Sequence, residues 1–360
     1  MWHRTELIRS ENLHRAGELI KLGRLVVFPT ETVYGIGADA GNPDAVAAIF
    51  AAKRRPADNP LIVHIPALAE LPVVASAVST LEYALLESFA PGPFTLVLPR
   101  AAAIAPDVSA GLSTVAVRVP LNTVAQRFLA VAGRPVAAPS ANRSGEPSPT
   151  SFAAARTAMS GRVAAIIDGG DCRYGIESTV VKVDSGRRRV VVLRPGSVTI
   201  EMITAALTEL AVDATRARSD PDHESWSSYR VCFAGDLGAG GDDAAAASPG
   251  TRHPHYQPRA PLYLLPGDRR ELLWPNSLGC RVGMLLLESL PDRLHPTPLV
   301  KVFRDSEEYG RLLYRSFAWF DSVGCDAIIA QLPPAAGVGL AVRDRLTRAA
   351  GGRLVPLQPR

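Results

Sequence analysis

An α/β fold with two separate cores is what this sequence predicts, and three observations predict it. Strand-like and helix-like segments alternate from the start of the chain, as in folds that layer helices on a sheet. The strand-like segments are short apolar runs bounded by glycine, proline or small polar residues. The length of 360 residues exceeds what one hydrophobic core usually serves, so two domains are expected.

Taken in order, Ser10 is expected to cap a first helix whose apolar positions Leu13, Leu19, Ile20 and Leu22 lead to Gly23 as its stop. A buried strand over 25–28 follows and ends at Pro29. Asn42-Pro43-Asp44 begins the next helix, because the Asn42 side chain can cap it and Pro43 falls in the first turn, where no N–H is missed. That helix runs to Lys53. Further strands are expected over 61–65, 94–98, 114–119, 136–138, 164–167, 179–183 and 190–193, with helices over 81–89, 123–131 and 152–160. Periodicity fails over 215–260, where a Gly-, Ala- and Asp-rich stretch at 235–250 and several prolines read as a long connection. Beyond it come a strand at 281–287, a helix at 307–324, a strand at 327–330 and a helix at 342–350. The expected division is a first domain over 1–212, a linker or lid over 213–262 and a small α/β domain over 263–360.

Composition narrows the function. With 47% hydrophobic and 21% charged residues the chain is an ordinary globular sequence, close to the typical charged share of about 25%. The 39 Lys and Arg against 35 Asp and Glu leave +4, a balance that suits an anionic small molecule better than a duplex-wrapping surface. Cys172, Cys232, Cys280 and Cys325 lie far apart, so neither a zinc knuckle nor a disulfide framework is indicated, and a reducing cytosol fits. Charges at Arg4, Glu6, Arg9, Glu11 and Arg15 interrupt any signal-peptide core. No apolar run approaches the roughly 20 residues that cross a bilayer, so a cytoplasmic protein without a membrane partner is expected.

Chemistry is concentrated in the loops beside the strands. The segment 29–37, Pro-Thr-Glu-Thr-Val-Tyr-Gly-Ile-Gly, follows a buried strand where α/β sheets commonly place ligand loops. Lys53-Arg54-Arg55 leads into a second such loop with Asp58 and Asn59, before the strand that carries His64. Cations at a helix end often only complement its dipole, but these point towards a sheet end that already carries the first loop. Arg118 interrupts the apolar strand Val115-Ala116-Val117-Arg118-Val119 and needs an anionic partner, either a salt bridge within the protein or a ligand. Pro139-Ser140-Ala141-Asn142, with Ser148 beyond, offers neutral donors and acceptors. Ser178-Thr179 opens a strand and Arg194-Pro195-Gly196 closes the next. Nothing in the chain matches a Ser-His-Asp spacing, H-E-x-x-H or a P-loop. His253 and His255 flank Pro254 in the connection and read as solvated, with no carboxylate or cysteine to complete a metal site.

The ordered set P-T-E-T-V-Y-G-I-G, K-R-R with N-P-L-I-V-H-I, V-R-V-P, P-S-A-N-R-S-G, E-S-T-V-V and L-R-P-G closely resembles the threonylcarbamoyl-AMP synthase family, built on the YrdC-type domain. Ser248-Pro249-Gly250, the run 255–261, Gly337-Val338-Gly339 and Asp344-Arg345-Leu346 extend the resemblance to the two-domain long form. The resemblance implies a YrdC-type open twisted sheet around a basic cavity, with a small Rossmann-like C-terminal domain. It also implies synthesis of threonylcarbamoyl-AMP from L-threonine, bicarbonate or CO2, and ATP with Mg2+, releasing pyrophosphate for the tRNA threonylcarbamoyl-transfer machinery. By the same resemblance Thr32, His64, Arg118, the backbone of Ala138 and Ser178 hold threonine. Arg55, Asn59, Thr114, Ser140, Asn142, Ser148, Arg194 and Tyr256 hold ATP, Tyr256 by folding over the cavity, and Lys53 and Arg55 supply catalytic charge. The acidic, Gly- and Ala-rich insertion at 234–247 departs from the pattern and has no assigned role.

Two other readings compete. An RNA-binding translation or ribosome-associated factor would also use a basic concavity, but aromatics are only 6% and form no spaced array; weak RNA contact remains open. A carbamoyl-transfer enzyme of hydrogenase maturation has a related domain, but its zinc-finger cysteines and acylphosphatase-like region are not visible.

Overall fold

The computed structural model describes residues 4–217, 223–237, 255–265, 281–287 and 299–355. Among them, two sheets carry the fold. The large one contains β1 (Glu6–Arg9), β2 (Val26–Phe28), β3 (Gly35–Asp39), β4 (Ile62–His64), β5 (Phe94–Pro99), β6 (Thr114–Arg118), β7 (Val136–Ala138), β8 (Ala165–Asp168), β9 (Thr179–Asp184), β10 (Arg189–Arg194) and β11 (Arg230–Phe233). Their spatial order is β1-β8-β2-β3-β7-β4-β6-β5-β9-β10-β11. The sheet is mixed: β4 runs parallel to β6 and β5 to β9, whereas β7 is antiparallel to both β3 and β4.

Helices cover it: α1 (Leu13–Lys21), α2 (Pro43–Lys53), the short α3 (Leu71–Val74), α4 (Thr80–Phe89), α5 (Thr123–Ala132), α6 (Phe152–Met159) and α7 (Ile200–Ala217). Asn42 caps α2 as its sequence implies, accepting from the backbone N–H groups of Asp44 and Ala45. Ser10 does not cap α1. Asn12 stands at that position without a side-chain bond, and the Ser10 hydroxyl donates to Glu11 instead. On one face α1 and α5 bury Leu13, Ile20 and Leu129, with the rings of Phe28 and Phe128 5.1 Å apart. On the other, Val27, Ile36, Val63 and Val117 join Ile49, Leu85 and Leu86 in the largest core.

The second sheet is wholly parallel, with order β12-β15-β13-β14: β12 (Leu262–Leu265), β13 (Val282–Leu286), β14 (Val300–Val302) and β15 (Ala327–Gln331). Helices α8 (Ser306–Ser322) and α9 (Val338–Ala350) pack on it through Leu313, Phe317, Val342 and Leu346. Helix α7 and the short strands β1, β11, β12 and β14 go beyond what the sequence signals, and β11 lies inside the expected connection. A strand of three or four residues carries too little alternation to be read without its neighbours. The greater part of the insertion at 234–247 lies outside the described residues, as do Cys280, His253 and Ser248-Pro249-Gly250. Among the described residues no helix is long and apolar enough to cross a membrane.

Period-two alternation then decides what the sheet offers a ligand. In β4, Val63 joins the large core while Ile62 and His64 face the opposite way. In β6, Val115 and Val117 do the same, leaving Thr114, Ala116 and Arg118 on the other face. Registers place His64 beside Arg118 and Ile62 beside Ala138. A row of strand residues therefore floors the site, rather than strand-end loops alone.

Gly37 permits the close packing of β3. A Cβ there would lie 2.7 Å from Cγ1 of Val136 and 3.0 Å from the Phe28 ring. Gly37→Ala is expected to lose about 1–3 kcal/mol by overpacking, read from the urea midpoint. Adding Val136→Ala, which removes the clashing methyl, should make the double variant more stable than the sum of the two single losses predicts; strict additivity would refute this contact.

Candidate active site

Thr30, Thr32, Arg55, His64, Arg118, Ala138, Ser140, Glu177, Ser178, Arg194, His255 and Tyr256 line one hollow. Counted out to its open mouth, the space between these residues is about 560 Å³. Of the residues expected to bind ligand, Thr32, His64, Arg118, Ala138, Ser178, Arg55, Ser140, Arg194 and Tyr256 are brought together.

The loop after β2 is built by Thr30. Its hydroxyl donates to the Val33 carbonyl (2.6 Å), accepts from the N–H groups of Thr32 and Val33, and lies 2.8 Å from the Thr32 hydroxyl. Arg118 then crosses from β6, donating to Thr32 Oγ1 at 2.9 Å, to the Gly92 carbonyl at 3.2 Å, and to the carboxylate of Glu31. Both members of the Arg118–Glu31 pair are 4% exposed. Arg118 thus has an internal anion, the salt bridge that was one of the two alternatives left open by the sequence, as well as a place on the cavity wall.

On the opposite wall the Arg55 guanidinium donates to the carbonyls of Asn59 (3.1 Å) and Pro60 (2.9 Å), neutral acceptors that leave its charge in place. Burial, with Arg194 adding repulsion, lowers its pKa to about 10. Arg194 donates to the carbonyl of Ser178 (3.0 and 3.2 Å) and to its hydroxyl (3.2 Å), which also meets Thr95 at 2.7 Å. Burial likewise lowers Arg194. Two desolvated guanidinium groups in one lining are arranged for a polyanion, since buried charge is costly until it is paired.

Several expected site residues stand behind this wall. Lys53 is 1% exposed, and its ammonium is held by the carbonyls of Ser140 and Asn142. Burial and the neighbouring Arg55 push its pKa down. It holds the 139–142 loop in place rather than facing the hollow. The Asn142 amide turns back to the carbonyls of Arg143 and Glu146, at 2.8 and 2.7 Å. Asn59 is buried beside His255, 3.4 Å between its amide nitrogen and the ring Nε2. Ser148 donates to Glu177 at 2.6 Å. Thr114 shares the floor face but begins β6, roughly 13 Å from Arg118 at the ordinary rise per residue, and does not line the hollow.

The structure also adds residues. His255 is 6% exposed and lines the cavity, not solvated as its sequence context suggests. Tyr256 beside it sits at φ 67°, 3% exposed, also in the cavity lining, with its pKa raised to about 12 by burial. Glu31 and Glu177 were both inside recognised blocks, yet a carboxylate on a loop gives no sequence sign of its partner. Among the described residues no group of three or more His, Cys, Asp or Glu could hold a metal ion. Glu177, the one carboxylate in the cavity lining, is already bonded to Ser148, Tyr314 and Arg345. Mg2+ prefers six oxygens in octahedral geometry, and this donor set does not provide a protein-held site for it.

His64 and His255 are both neutral. Burial, then the nearby Arg118, lowers His64 to about 3; burial, then Arg55 and Lys53, lowers His255 to about 3. Nδ1 of His64 is buried with no partner. Because both folded values lie below the ordinary 6.5, the unfolded chain takes up the extra protons. Stability is complete above about pH 6.5 and falls as pH drops towards 3, each histidine contributing a slope approaching ~1.4 kcal/mol per pH unit. His64→Gln and His255→Asn should each flatten the loss measured by urea unfolding between pH 6.5 and 4.5; curves parallel to the parent would contradict the buried neutral state.

The protein-family profile described as "Telomere recombination" matches residues 18–196, and that described as "Threonylcarbamoyl-AMP synthase, C-terminal domain" matches 198–351. The threonylcarbamoyl-AMP synthase of Pyrococcus abyssi is 36% identical, covering 97% of each chain. That of Bacillus subtilis is 37% identical over 95% of this chain and 93% of its own, and that of Schizosaccharomyces pombe 31% over 90% and 84%. Among solved structures, P. abyssi Sua5 complexed with L-threonine superimposes with a TM-score of 0.83 at 34% identity, over 99% of this chain and all of that one.

Proposed function

The chain belongs to the threonylcarbamoyl-AMP synthase family, and from that premise we propose that it makes threonylcarbamoyl-AMP from L-threonine, bicarbonate or CO2, and ATP, as the first step of threonylcarbamoyl-adenosine formation in tRNA. The observation that carries this reading is the convergence of Thr32 and Arg118 with Arg55, Ser140, Arg194 and Tyr256 on a single hollow. The residues split by chemistry. One wall pairs a guanidinium with hydroxyls, a combination suited to an amino-acid carboxylate and side chain. The other sets two guanidinium groups beside a serine loop, suited to a phosphate chain and ribose. The related P. abyssi protein was solved with L-threonine, which supports the first assignment.

The threonine amine, once deprotonated, adds to CO2 as a carbamate, or to bicarbonate with loss of water. A carbamate oxygen then attacks the α-phosphorus while the bond to the bridging oxygen breaks and pyrophosphate leaves. No protein nucleophile is needed. Alignment of the reactants and neutralisation of the departing pyrophosphate supply the acceleration, with Arg55 and Arg194 meeting the negative charge and Lys53 keeping the 139–142 loop in register. Mg2+ enters with ATP, as part of the substrate. His255 and Tyr256 line the same hollow, and the segment that carries them covers the bound triphosphate. The downstream partner is the tRNA threonylcarbamoyl-transfer machinery, and the expected compartment is the cytoplasm.

Incubation with threonine, bicarbonate, MgATP and the enzyme should yield an acid-labile threonine-containing adenylate and pyrophosphate, resolved by chromatography and mass; pyrophosphate release indifferent to threonine would sink the reading. Arg118→Lys should raise the KM for threonine roughly 30-fold, the equivalent of about 2 kcal/mol for a charge-assisted bidentate contact, with a smaller change for ATP. Arg55→Ala should reduce threonine-dependent pyrophosphate release at least ~100-fold, the scale of a lost transition-state charge partner, while circular dichroism stays that of the parent.

A further inference from the structure

A carboxylate in the wall of a triphosphate site is an electrostatic oddity, because it repels the ligand unless its charge is cancelled from behind. Glu177 is in that position. Burial opposes its ionisation, yet Arg345, Arg194 and the Ser148 hydroxyl outweigh burial and hold the carboxyl below its ordinary value. The cancelling groups come from the other end of the sequence. Arg345, on α9 and fully buried, donates Nε to Glu177 Oε2 at 3.1 Å, and Tyr314, on α8, donates its hydroxyl to the same carboxylate at 3.1 Å.

The same two residues reach the covering segment and the nucleotide-side arginine. Tyr314 stacks on Tyr256 with ring centres 5.5 Å apart, and the Arg345 guanidinium lies 5.8 Å over the Tyr256 ring. Arg345 also donates to the carbonyl of Pro195, the residue after Arg194. The backbone is drawn equally close. A Cβ on Gly175, at φ +74°, would lie 2.2 Å from the Arg311 carbonyl of α8, so the loop that leads to Glu177 lies directly on that helix.

We propose that Arg345 and Tyr314 are positioning residues for the nucleotide half of the site: through Glu177 and Tyr256 the C-terminal unit completes and orders the wall that receives ATP. The proposal rests on the ATP reading above. It gives the C-terminal unit a part in substrate binding that the large sheet alone does not supply. A buried polar cluster fixes geometry more than it adds stability, and in this one Nη2 of Arg345 is left without a hydrogen-bond partner, so its loss should be read in ATP binding before it is read in melting temperature.

The test uses the full chain. Tyr314→Phe removes one hydroxyl, the pair Glu177→Gln with Arg345→Met removes both charges together so that neither is stranded, and Arg345→Lys is the conservative control. MgATP binding by calorimetry and KM values for ATP and threonine are measured for each. The expected result is a roughly ten-fold or larger rise in Kd and KM for ATP in the first two, the scale of one lost hydrogen bond to a charged group. The KM for threonine should change far less, and Arg345→Lys should recover part of the loss. Parent-like ATP binding in the folded double variant, or in Tyr314→Phe should the double variant not fold, overturns the proposal while leaving the ATP reading intact. A parent protein that binds no MgATP overturns both.

Discussion

Lys53, Arg55, Arg118, Arg194 and Arg345 are all withdrawn from water, and a charge so withdrawn must be met by opposite charge, by oriented dipoles or by a ligand. The chain itself uses the first two. Arg118 has the Glu31 carboxylate and Arg345 the Glu177 carboxylate. Lys53 has two loop carbonyls, and Arg55 has two more. Dipoles stabilise a cation without cancelling it, so the charge that survives into the hollow is concentrated on the wall where Arg55 and Arg194 lie. The two walls therefore differ, one neutralised and one positive.

Holding these groups together requires the whole large sheet. The His64–Arg118 register depends on β4 and β6 running parallel, and the proximity of Ala138 and Ser140 depends on β7 threading antiparallel between β3 and β4. Antiparallel neighbours bring the end of one strand beside the start of the next, so the loops after β2 and β7 meet. The bridge between Gly35 and Ser140 records that meeting. The second sheet contributes through two helices, whose buried Tyr314 and Arg345 are aimed out of their own core towards the first.

Much of this was legible in the sequence where a local rule governs the outcome. The Asn42 cap obeys its own short-range chemistry, and the apolar runs became strands because continuous burial is written into composition. Ser10 failed as a cap because the helix begins at Leu13, which puts Asn12 at the capping position and leaves the Ser10 hydroxyl to Glu11. His255 was misread because burial of a loop residue depends on what folds over it. Lys53 and Arg55 look equivalent in K-R-R, but Lys53 ends α2 while Arg55 lies beyond the left-handed cap residue Arg54, and only the tertiary packing turned one to the loop carbonyls and the other to the cavity.

By itself, then, the sequence determined the α/β class, the alternation of elements and the inventory of blocks that carry charge and hydroxyls, because propensity, periodicity and motif order are properties of neighbours along the chain. The tertiary structure decided which cation faces the hollow, that Arg118 already possesses Glu31, and that Glu177 is answered from α8 and α9. Those are pairings between residues far apart in sequence, and an ionic or hydrogen-bonded partner at such separation leaves no trace in local pattern; it exists only once the chain has closed the distance.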